Sequence, residues 1–175
     1  LIEMGRLHFL IGNDSKSKEL SLQAAKITGE KYGSDAVEVA ECLTLAGEAC
    51  SKLKEYPEAV KHFRRAMVIQ QIKRGKDSTW GAIVMLGLGA TMAEWKDPLY
   101  GIQMIEKAIV IFEKDFGKEN LKVGQAQIDL ERAYSLLDKK TKKEAEDAGK
   151  KSSEYKLHHK ERISLLEKSL KIREK

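Results

Sequence analysis

Apolar residues return along this chain at mixed three- and four-residue steps. Val37, Ala40, Leu43, Leu45, Ala46 and Cys50 form one such run, which places them on one face of a helix. The run stops at Lys54-Glu55-Tyr56-Pro57-Glu58. Proline suits the first turn of a helix, where the backbone N–H has no partner in any case. A second helix is therefore predicted from near Pro57, with Ala59, Val60, Phe63, Ala66, Met67 and Ile69 as its apolar positions. It should end near Gly75, because glycine adopts the left-handed conformation that closes helices. Asp77-Ser78 supplies capping oxygens for the next helix. Asp35 and Glu119 stand in register with Asp77, and Asp97-Pro98 marks the internal turn of the following pair.

The same pattern recurs with a period of 42 residues. Gly33, Gly75 and Gly117 keep that spacing, as do Ala24, Ala66 and Ala108. Ile27, Ile69 and Ile111 form a third series, and Gly5, Gly47 and Gly89 a fourth. Recurrence at a fixed period is the mark of a repeat protein, in which each unit buries its stripe against the next. Small residues allow two antiparallel helices to approach closely. Gly47 and Gly89 in the first helices, with Ala59 or Gly101 and Ala66 or Ala108 in the second, make these approaches. Phe63 and Ile105 are expected to fill the space between neighbouring pairs.

At these positions the chain resembles the tetratricopeptide repeat family. Counted from Gly47, the motif reads Leu43, Ala46-Gly47, Cys50, Ala59, Phe63 and Ala66. Counted from Gly89, it reads Met85, Leu88-Gly89, Met92, Gly101, Ile105 and Ala108. A third copy retains Leu130 and Tyr134, with Glu131 in place of glycine, and a truncated first copy retains Gly5, Ala24 and Ile27. The 42-residue period is similar to the long variant found in kinesin light chains, although the asparagine-rich first helices of that group are missing.

The resemblance implies an all-α fold: a right-handed α-α superhelix of about four helix hairpins. Its repeats would occupy residues 1–138, divided at about 1–33, 34–75, 76–117 and 118–138. It also implies a concave face lined by first helices. The inward positions would be Arg6 and Phe9; Glu41, Thr44, Glu48, Ser51 and Lys52; Ile83, Leu86, Ala90, Ala93 and Glu94; and Gln125, Ile128, Arg132, Ser135 and Leu136. The face would carry mixed charge at one end and apolar residues in the middle. Ile83, Leu86 and Ile128 admit two readings, as anchors for a bound peptide or as packing against the next helix.

Charge separates the end of the chain from the rest. Of 32 Lys+Arg and 27 Asp+Glu, residues 139–175 hold 13 and 7, so the whole positive excess lies there. The 42-residue phase breaks in this segment, around a polar insertion from Asp138 to Lys156 that lengthens the last pair or forms a loop within it. His159, Ile163, Leu166 and Leu170 then step by four, three and four, which makes an amphipathic stripe. The segment reads as a solvated charged hairpin, with an acidic protein surface as the alternative partner. Aromatic residues are nearly absent from it, which argues against nucleic acid. No apolar run of about 18 residues occurs, so no membrane-spanning helix is expected. Only 2 Pro argue against disorder, and 2 Cys are too few for a disulfide scaffold. A cytoplasmic setting follows, with cytoskeletal association left open.

No catalytic constellation is visible, and no cofactor or metal is expected. Cys-x-x-Cys and His-Glu-x-x-His are absent. His8 takes an aromatic slot, His62 is expected to face solvent, and the neighbouring His158 and His159 diverge on a helix. Trp80 and Trp95 read as packing residues. Gly87-Leu88-Gly89 lacks the flanks of a phosphate loop. The reading is a non-enzymatic scaffold binding a protein or peptide in the concave groove. The alternatives are a regulatory module of a larger enzyme and a homo-oligomer assembled through the terminal stripe.

Overall fold

A computed structural model describes residues 1–147. Seven helices follow one another: α1 (Ile2–Leu10), α2 (Asp14–Tyr32), α3 (Val37–Lys52), α4 (Tyr56–Arg74), α5 (Thr79–Trp95), α6 (Pro98–Phe116) and α7 (Leu121–Asp147). The described residues contain no strand. The starts of α3, α5 and α7 are 42 residues apart, and so are those of α2, α4 and α6. The chain divides into two compact units, Leu1–Ala133 and Tyr134–Lys175.

Local chemistry sets the helix ends. Gly33, Gly75 and Gly117 close α2, α4 and α6 with φ of 96°, 88° and 82°, a region that L side chains enter only at a cost. Pro98 occupies the first position of α6, and Asp97 caps that helix by accepting from the Tyr100 N–H at 3.0 Å. The cap of α5 is Ser78, whose hydroxyl accepts from the Gly81 N–H. The in-register Asp35 and Glu119 do not take this role. The corresponding cap positions are one residue later, at Ala36, which has no side-chain bond to give, and at Asn120, which accepts from the Lys122 N–H.

From α1 to α6 each helix packs on its neighbours in the chain, and α3 also touches α1 and α5. The backbones of the second helices α2 and α4 do not come close to each other. First helices therefore line the inner side of the stack, and second helices diverge on the outer side. Phe63, fully buried on α4, joins two hairpins. A Cβ on Gly47 of α3 would lie 3.0 Å from its ring, and one on Gly87 of α5 would lie 2.6 Å from it. The absence of two side chains thus makes the slot for one large ring. The approach of α5 to α6 is tighter still, since a Cβ on Gly101 would lie 2.5 Å from the Gly89 carbonyl oxygen.

In the second unit α7 runs on without a break to Asp147. The first part of the polar insertion therefore lengthens a helix, and the Thr141 hydroxyl accordingly bonds back to the Leu137 and Asp138 carbonyls. The amphipathic stripe of His159, Ile163, Leu166 and Leu170 lies outside the described residues, as does the rest of the basic segment.

Candidate functional site

The inner side of the stack carries a depression of about 300 Å³. α1 contributes Arg6, Phe9 and Leu10; α3 contributes Glu41, Thr44, Leu45 and Glu48; α5 contributes Trp80 and Ile83. Helical phase explains the α3 set. Glu41, Thr44, Leu45 and Glu48 follow the three- and four-residue steps of one face, and the opposite face of that helix packs into the core with Val39, Leu43 and Cys50. Six expected inward residues, Arg6, Phe9, Glu41, Thr44, Glu48 and Ile83, thus meet in one place.

Charge in the depression is mixed and unevenly neutralised. The Arg74 guanidinium lies 3.7 Å from the Glu41 carboxylate and 4.9 Å from the centre of the Trp80 ring. One arginine from the end of α4 therefore ties α3 to α5 at the rim. Glu48 lies deeper. Loss of hydration pushes its carboxyl up to about 7, against the opposing pull of Arg6 and Lys52. Thr44 is buried and turns its hydroxyl back onto the Ala40 carbonyl at 2.7 Å. Further along, the buried Thr91 of α5 donates to the Gly87 carbonyl at 2.8 Å and lies 3.0 Å from the Ser51 hydroxyl of α3.

The remaining expected residues do not line this depression. Leu86 and Ala90 are half-buried on α5. Gln125, Ile128 and Arg132 are exposed on α7, Ile128 to 53%. Arg132 lies 3.6 Å from Asp129. Burial raises the Asp129 carboxyl, and Arg132, a Gln125 hydrogen bond and Lys52 lower it. Lys52 thus acts electrostatically on both Glu48 and Asp129, between the depression and α7.

Two expectations need correction. Trp80 is 38% exposed and lines the depression, whereas Trp95 does pack against the core. Trp80 stands in the first turn of α5, beyond the next hairpin's apolar run, and the reach of Arg74 across to it has no signature in one helix's periodicity. His62 does not face solvent. Its side chain is 14% exposed, and burial lowers its pKa against the opposing effect of Glu58.

Residues 1–71 match the family model described as tetratricopeptide repeat. The fold is a tetratricopeptide-type helical repeat. Its 42-residue spacing is the long form expected from the resemblance to kinesin light chains. The crystal structure of BtubC (BKLC) from P. vanneervenii is similar, with a TM-score of 0.67 and 22% identity over 78% of this chain. The match takes in 54% of BtubC, so this chain spans about half the length of that protein. No curated protein sequence matches. Repeats of this type generally mediate protein–protein interaction.

The free Cys42 and Cys50 are buried in the helix stack, and burial pushes the Cys50 thiol up to about 11. A thiol in that state is a poor nucleophile at neutral pH. Among the described residues no group of three His, Cys, Asp or Glu is placed to hold a metal ion. No described helix is long and apolar enough to cross a membrane.

Proposed function

We propose that this chain is a non-enzymatic interaction scaffold that holds an extended or helical peptide of a partner protein along its inner face. One observation carries the reading. Arg6, Phe9, Glu41, Glu48, Trp80 and Ile83 come from three successive first helices and converge on one depression. Aromatic and apolar walls with a few charges at fixed places are what a peptide-binding groove requires. Leu86, Ala90 and Lys52, then Gln125, Ile128 and Arg132, continue the face toward α7. The helices are held by packing before any ligand arrives, so little ordering cost falls on the scaffold when it binds. The two free cysteines suit a reducing, cytoplasmic setting.

A peptide array screened with the full chain supplies ligands, and their affinities are then measured against Trp80→Ala and Ile83→Glu. Each change should weaken capture by at least about tenfold, roughly 1.4 kcal/mol, with the helical melt retained. Undiminished affinity in both variants removes the groove from consideration.

A further inference from the structure

The outer side of the stack carries a second furrow, of about 510 Å³, where α2 and α4 diverge over α3. Leu22 and Ala25 of α2 form its apolar wall, with Val39 and Leu43 of α3 beneath. These two α3 residues lie on the side of the helix opposite Glu41, Thr44 and Glu48, so the furrow is separate from the inner depression. Its rim is basic. Lys26, Lys61, His62 and Arg65 line it, and Glu30 is the one carboxylate among the lining residues. Arg65 is held at the edge by donating to the Ser34 carbonyl at 3.3 Å. Lys61 lies 3.5 Å from Glu58 in an exposed pair that competes weakly with a ligand.

The α4 wall continues beyond the furrow as a stripe. Lys61, Arg65, Val68 and Ile72 follow steps of four, three and four, and so share one helix face. Val68 is 54% exposed and Ile72 is 72% exposed. Their positions one repeat later are Val110, also exposed, and Lys114. A basic stretch thus leads directly into an uncovered aliphatic pair on the same face. Isolated apolar side chains at a surface need no explanation, but a pair joined to a basic furrow offers both parts of a docking surface.

We propose that this outer face docks an acidic segment of a partner protein, with carboxylates over Lys26, Lys61 and Arg65 and aliphatic side chains against Val68 and Ile72. Charge complementarity selects that occupant: a basic segment would meet three cations, and a neutral one would leave them unused. The proposal is independent of the inner groove, and the scaffold would then hold two different segments at once.

The test is fluorescence anisotropy of the full chain with a labelled helical probe made of glutamate and leucine. Lys61→Glu/Arg65→Glu and Val68→Ser/Ile72→Ser alter only exposed positions, and thermal melts verify that both fold. Each should weaken the probe by at least about tenfold, while Ile83→Glu in the inner depression leaves it unchanged. A probe with serine for leucine, or with lysine for glutamate, should bind at least about tenfold more weakly. The proposal is overturned if the intact chain does not bind the probe. It is also overturned if either outer variant binds like the parent or if Ile83→Glu abolishes binding. Equal binding of the serine or lysine probe has the same force. So does a single-stranded oligonucleotide that binds with the same dependence on Lys61 and Arg65, which would make the surface a polyanion site.

Discussion

Gln70 is the residue that most clearly departs from its surroundings. It is 1% exposed on α4, and neither atom of its side-chain amide has a hydrogen-bond partner among the described residues. The equivalent position one repeat later is Phe112, also buried. An amide thus occupies a slot that the next repeat fills with an apolar side chain, while the first copy holds Thr28 there. Burying such a group unpaired costs about 1–3 kcal/mol. Gln70→Met keeps the volume and removes the polar atoms, so it should raise stability by about 1 kcal/mol, read as a higher urea midpoint at unchanged slope. A lower midpoint would show that the amide is satisfied in solution. Lys54 departs in another way, with φ of 61° in the turn between α3 and α4. The first copy places Gly12, at φ of 77°, in that position, and the lysine therefore bears a backbone cost that glycine does not.

At the scale of the element, helix approach rests on missing side chains. A Cβ on Gly101 would come within 2.5 Å of the Gly89 oxygen and 2.7 Å of the Ala93 Cβ. Both obstacles belong to rigid helix, so Gly101→Ala must push α6 away from α5. The expected loss is about 2 kcal/mol, measured by denaturant unfolding, whereas Gly124→Ala on α7, where a Cβ meets nothing within 4 Å, serves as the control. Equal stability of the two variants would contradict the close packing. These elements were legible in the sequence for a physical reason. Glycine at the helix ends, proline in the first turns and small residues at the crossings each answer a backbone demand that acts locally. The places where reading failed depend on neighbours instead. His62 is covered because an adjacent second helix flanks its furrow, and Gly87 is needed because Phe63 arrives from another hairpin. The inner face fell between these cases. The resemblance to tetratricopeptide repeats implied Glu41, Thr44 and Glu48 on one inner face, but only the stacking of three hairpins adds Trp80 and separates Leu86 from the depression.

For the molecule as a whole, the desolvated carboxylate of Glu48 couples stability to pH. The folded chain keeps this proton up to about pH 7, against an ordinary value of 4.5. Between those values the native state binds more protons than the unfolded one, so stability falls as pH rises through that window and is lowest above it. Glu48→Gln removes this contribution. The difference between the two proteins should therefore change by about 2 kcal/mol between pH 5 and pH 8, with the variant the more stable at pH 8. Asp129, raised in the same direction, is common to both and cancels. Parallel pH curves for parent and variant would show that Glu48 is well hydrated.

The one-after-another packing of the helices has a further consequence. From α1 to α6 each helix is secured by those beside it, so opening can advance from one hairpin to the next like a zipper. A guest clasped by α1, α3 and α5 together would bolt three successive hairpins to one another. Its arrival would then be felt first as slower amide exchange at the rim, before any helix had changed place.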